Sequence, residues 1–244
     1  MNRGHTQFLV ALAALAVIAA PAAQAAVQSG AGPYPSMVPI DRYLMAPGSE
    51  IALAQSAAPS VISHSATVLV LHRDGYQTAM KGTNGFTCLV ERAWMSPFDA
   101  SDFWSPEVRG PICYNPPASR TVLLYTLNRT ELVLHGFSKA QMIQRIDAAL
   151  AAKKLLPPEP GSMSYMMSKK QDIGNPVGPW VPHLMFHAPK ADGARDGVSW
   201  GADLAGSPVL LDTSHHEFPE PETIFMVPVL QWSDGTPAPP MSQM

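Results

Sequence analysis

The sequence predicts an α+β fold with a mainly antiparallel sheet, two packed helices and long Pro-rich loops, and three observations carry that expectation. Short apolar or β-branched runs lie on both sides of a central stretch with helical periodicity. Prolines number 25 in 244 residues and charged residues make up only 14% of the chain, a balance that favours extended, turn-rich segments. Strands, then helices, then strands again, without βαβ alternation, point to antiparallel pairing.

At the N-terminus, Arg3 supplies a positive charge ahead of an apolar run from Phe8 to Ala20, and Ala23-Gln24-Ala25 offers a small-x-small cleavage site. The run is shorter than the roughly 20 residues a membrane-crossing helix needs, so residues 1–25 read as a cleavable signal peptide. Residues 26–236 then read as one α+β domain and 237–244 as a flexible tail. The expected location is the periplasm or the medium, with no membrane span in the mature chain.

Within the domain, Ile40–Met45 and Ser49–Ala57 read as short helices separated by Pro47-Gly48. Ala66–His72 is apolar and β-branched enough for a buried strand. Tyr76–Lys81 and Phe86–Trp94 flank Gly82-Thr83-Asn84-Gly85, and Asn-Gly between two strand-like runs predicts a hairpin. Met95–Pro117 carries five prolines among aromatic residues and reads as a long packed loop. Ser119–Leu134 has helical spacing of leucines. The 139–153 segment reads as a helix capped by Ser138 with Gln141 reaching back, its buried stripe made by Met142, Ile143, Ile146 and Leu150. Met163–Lys169, Val181–His187 and Thr223–Trp232 read as strands.

Net charge is −3 with no basic cluster, so the chain lacks the electrostatic footprint of a nucleic-acid binder. Two cysteines are present, Cys88 and Cys113. In an oxidising compartment a disulfide between them is the natural reading, worth roughly 3 kcal/mol for a loop of about 25 residues. Two separate buried thiols are the alternative.

No nucleophile elbow, phosphate loop or dinucleotide fingerprint occurs, and a triad assembled from distant residues has no sequence motif to betray it. Trp94, Phe103, Trp104 and Tyr114 lie around the cysteines and form the expected ligand-binding surface, with a packed aromatic cluster as the plain alternative. On a strand, His183, Met185 and His187 share one face, and His183 with Met185 suits copper, with Met163, Met166, Met167 and Met226 as further thioethers. Ordinary core packing is the competing reading. Glu91 and Arg92 read as a polar site, an exposed pair or a mutual salt bridge. Tyr165 with Ser164 and Ser168 reads as pocket lining or packing. His215-His216-Glu217 lacks the spacing of a zinc protease and reads as a solvated loop.

Lys81–Arg92, Gly110-Pro111-Ile112-Cys113 and Trp232-Ser233-Asp234-Gly235-Thr236-Pro237 resemble segments of a family of uncharacterised exported bacterial proteins. The resemblance spans most of the mature chain and implies export, and it brings no functional residues with it. The leading expectation is a non-enzymatic module that binds a small molecule or a protein. The first alternative is an exported hydrolase-type enzyme with a distributed site near His183, and the second is a copper-binding protein using His183 and Met185.

Overall fold

The computed structural model describes residues 1, 34–172, 181–190 and 218–239. The chain divides into two units, Met1–Gly30 and Ala31–Met244. The expected signal peptide, the 215–217 cluster and the last five residues lie outside the described residues.

The second unit is built on a seven-stranded sheet in the order β2-β1-β3-β4-β5-β6-β7. The strands are β1 (Thr67–His72), β2 (Gly75–Met80), β3 (Thr87–Glu91), β4 (Gly110–Tyr114), β5 (Met163–Met166), β6 (His183–Pro189) and β7 (Glu222–Pro228). Every pairing is antiparallel except β1 with β3, so the α+β, mainly antiparallel expectation holds. The helices are α1 (Pro47–Gln55), α2 (Ser60–Ser63), α3 (Pro116–Arg120), α4 (Val122–Leu134) and α5 (Lys139–Ala151). Among the described residues no helix is long and apolar enough to cross a membrane.

The hairpin lies elsewhere than the sequence predicts. β2 pairs with β1 through the turn at Arg73-Asp74, and His72 faces Gly75, whose φ of +123° suits glycine. β3 lies on the opposite side of β1 and runs parallel to it. The Gly82–Gly85 segment therefore crosses the end of β1, and Ser65 O accepts from the backbone N–H groups of Thr83 and Asn84. A Cβ on Gly82 would lie 2.2 Å from the Thr67 backbone nitrogen, so only glycine permits this close crossing.

Three further boundaries differ. Pro47 opens α1 at its first position, where a missing N–H costs nothing, and does not break it. The expected 119–134 helix is two helices that meet at Thr121, with Asn115 Oδ1 accepting from Ala118 N to cap α3. The 95–117 loop ends in β4, a central strand despite Pro111. The β4–β5 ladder contains only Cys113 and Tyr114, so the proline sits where β5 demands no N–H. Helix α5 has the expected capping box, and Met142 and Ile146 are its buried residues. Cys88 and Cys113 face each other on β3 and β4 and are disulfide-bonded.

The sheet divides the interior in two. One face carries the larger core with α4 and α5, including Leu89, Ile112, Tyr114, Val122, Tyr125, Met142, Met166 and Met185. On the other, α1 covers β1, β3 and β4, packing Leu53, Ala54 and Ala57 on Val68, Val90 and the disulfide.

Candidate functional site

Strand alternation and register decide which side chains meet. On the inner face one row runs Tyr114, Ser164, Met185, Met226 across β4 to β7. Beside it lie His187 opposite Ile224 and, at the end of the ladder, Glu222 opposite Pro189. Ser164 and His187 are thus inward polar residues beside the apolar Met185, Met226 and Ile224. Burying them without partners would cost several kcal/mol, and they meet that demand with each other.

His187 Nε2 lies 2.9 Å from Ser164 Oγ and its Nδ1 lies 2.9 Å from Glu222 Oε2. An ionised carboxylate only accepts, so Glu222 places the proton of a neutral imidazole on Nδ1 and leaves Nε2 to accept from the serine hydroxyl. Ser164 is fully buried and His187 is 6% exposed, while the Glu222 side chain is 10% exposed and marks the open end of the chain of bonds. Two residues before Ser164, Ser162 O accepts from His187 N–H, which fixes the relative height of β5 and β6 at this point.

A second polar cluster borders the first. Tyr114 OH donates to Glu91 Oε1 at 2.5 Å, and Thr126 Oγ1 on α4 donates to the same oxygen at 2.8 Å. The Tyr114 and His187 rings are 6.4 Å apart between centroids. Burial pushes the Glu91 carboxyl above its ordinary range, against the pull of the Tyr114 and Thr126 hydrogen bonds. Burial and the neighbouring Glu91 push the Tyr114 hydroxyl well up, so it stays a donor.

The strand bearing Glu222 is anchored by a buried ion pair. Arg129 on α4 binds Glu220 through Nε and Nη2, both at 2.6 Å, and donates from Nη1 to the carbonyls of Trp94 and Ser96. Its guanidinium also lies 4.3 Å from the centre of the Phe98 ring. Arg92, by contrast, turns away from Glu91 and pairs with Glu50 of α1 at 2.8 Å, so the two neighbours form neither an exposed pair nor a mutual bridge.

The sequence-predicted residues are distributed as follows. Trp94 and Phe103 are fully buried, Tyr114 is 2% exposed and Trp104 is 8% exposed. Trp94 Nε1 donates to Thr130 Oγ1, and Phe103 packs edge-on against Trp104. These aromatics build the core between the 93–108 segment and helices α4 and α5, because Arg129 and Lys139 draw that segment inward through its carbonyls. All four are buried. His183 and Met185 do share the inner face, with Met166 opposite His183 and Met226 opposite Met185. His183 Nδ1 is 2.8 Å from Val181 O, and burial lowers its pKa, which favours the neutral ring. Among the described residues no group of three or more His, Cys, Asp or Glu could hold a metal ion. The imidazole joined to both a hydroxyl and a carboxylate is His187, four residues beyond the expected one.

The opposite face of β5–β7 has a different character. Two rows of apolar residues cross it: Tyr165, Leu184 and Val227, and Met163, Phe186 and Phe225. All six are half-buried or exposed, Phe186 at 43%. α1 covers the equivalent rows on β1, β3 and β4, and of these six only Tyr165 packs at the edge of that cluster, beside Phe86.

The fold defines an α+β domain whose sheet carries a buried polar chain on one side of β5–β7 and half-exposed apolar rows on the other side of the same strands. No family model matches the sequence, no curated protein matches it, and no solved structure matches its fold.

Proposed function

We propose that the chain is exported and works as a binding module that holds an apolar small molecule or an apolar segment of a partner protein against the outer face of β5–β7. The observation that carries this reading is the pair of apolar rows that helix α1 leaves half-exposed. Cross-strand neighbours on one face are about 5 Å apart, so three strands by two rows make a contiguous patch, and contiguous exposed apolar area marks interaction sites. Tyr165 and Phe186 supply broad, rigid contact area at a small entropic cost. The disulfide beneath α1 ties β3 to β4 and suits an oxidising compartment.

The test is saturable binding of a naphthalene sulfonate dye, followed by its fluorescence, with wild type and with Phe186→Asp. An outward aspartate introduces a charge into the patch without altering the core. The dye should bind wild type and bind the variant at least ~10-fold more weakly, a loss of about 1.4 kcal/mol, with unchanged circular dichroism. Equal binding by both proteins would remove the patch as the site.

A further inference from the structure

We infer that Ser164 is a nucleophile of the acyl-transfer type, with His187 as its general base and Glu222 as the positioning residue. The inference stands apart from the binding patch, which lies on the other face of the same strands. It rests on a bond order: serine hydroxyl to Nε2, Nδ1 to carboxylate, each at 2.9 Å. That order activates a serine on unrelated folds, where the constellation is recognised by geometry and role. Three separate strands supply the three groups, and the sheet register sets them side by side. The buried pair Arg129–Glu220 fixes the approach to Glu222 from two residues away.

The substrate class is an ester or activated acyl compound. Ser164 Oγ attacks the carbonyl carbon and forms an O–C bond while its proton passes to His187 Nε2. The C–O bond to the leaving alcohol then breaks, and His187 returns the proton to that oxygen. Water attacks the acyl-serine, His187 takes its proton, and the acid leaves as the Oγ–H bond re-forms. Met185 in the same cross-strand row and Ile224 opposite His187 supply apolar neighbours on one side, and Tyr114 stands opposite Ser164 on the other, which suits a small, uncharged acyl group. Ser164 is fully buried, so access to Oγ is the point the experiment decides. Pro160 and Gly161, just before β5 in the chain, and Pro189, opposite Glu222, are exposed.

The probe is diisopropyl fluorophosphate on the folded, full-length chain, read by intact mass and peptide mapping. The expected result is one adduct on Ser164, absent in Ser164→Ala and formed at least ~100-fold more slowly in His187→Asn. Glu222→Gln should slow labelling and change its pH profile, while Glu222→Asp restores part of the rate. Circular dichroism and a cooperative melt establish that each variant is folded. Three results would overturn the inference: no adduct on folded wild type, an adduct on Ser164 that forms only in urea, or labelling that His187→Asn leaves unchanged. The first and last need only proteins whose fold has been verified, so a collapsed variant leaves the wild-type result decisive.

Discussion

Removing the Glu220 carboxylate isolates the energetic role of the pair that anchors β7. In Glu220→Ala the Arg129 guanidinium, 1% exposed, keeps its bonds to Trp94 O and Ser96 O but loses both charge-assisted bonds at 2.6 Å. Breaking a buried pair from one side typically costs about 3–5 kcal/mol, because the remaining charge is uncompensated. That is a large share of the roughly 5–15 kcal/mol that holds a domain folded. In a domain of this size, 1 kcal/mol moves Tm by about 2–4 °C, so Tm should fall by about 6–20 °C. Urea unfolding followed by tryptophan fluorescence gives the free energy directly. The double variant Arg129→Met with Glu220→Leu removes both charges and should lose less than either single change, because no isolated charge remains. A single-variant loss below about 1 kcal/mol, or a double variant as damaged as the sum of its parts, would show that the pair does not fasten the strand to α4.

The remaining predictions probe other links. Replacing both cysteines by alanine should cost about 3 kcal/mol through the loop they close, read as a lower urea midpoint that a reductant reproduces in wild type. Gly82→Ala should destabilise by about 2 kcal/mol or more, since its Cβ would overlap the Thr67 backbone, whereas Gly48→Ala in the first turn of α1 meets open space and should stabilise by about 0.5–1 kcal/mol. Thermal melts of the two separate these signs. Burial raises the Glu91 carboxyl above its ordinary value of 4.5, so its contribution is fully present below the unfolded value and is lost as pH rises through the folded one. Glu91→Gln should therefore flatten the loss of stability between acid and neutral pH, measured by urea midpoints across that range.

The elements legible from the sequence are those whose signals are local. Ser138 and Gln141 form a cap within four residues, so α5 could be placed before any contact was known. Cys88 and Cys113 are the only possible partners for each other. The hairpin is not legible locally, because two glycine turns compete within a dozen residues. Asp74-Gly75 and Asn84-Gly85 are both good turns, and the choice depends on β1 accepting β2 on one edge and β3 on the other, a non-local fact. β4 was hidden by Pro111, whose tolerance depends on where β5 ends. The Ser164–His187–Glu222 chain joins residues 23 and 35 positions apart, with nothing periodic between them. Alternation does put His187 on the inward side of its strand with His183 and Met185, and an inward imidazole requires a polar partner. The partner's identity comes only from register. The aromatic stretch around Cys113 was legible as a cluster, but its burial depends on carbonyl contacts to Arg129 and Lys139 on distant helices.

Both proposed surfaces use β6, and its alternation makes them separable. His183, Met185 and His187 are buried on the inner face, while Leu184 is half-buried and Phe186 exposed on the outer face. A side chain therefore acts on one face or the other, and only a one-residue slip would exchange them. Phe186→Asp should weaken dye binding at least ~10-fold and leave the rate of fluorophosphate labelling at Ser164 unchanged. Ser164→Ala should abolish labelling and leave dye affinity unchanged. In the double variant the two losses should combine without coupling, because the changed groups share no partner and project from opposite sides of the backbone. A labelling rate that falls tenfold in Phe186→Asp, with the melt unaltered, would mean that the outer face is coupled through the sheet to the inner one. The two faces would then be one site and not two.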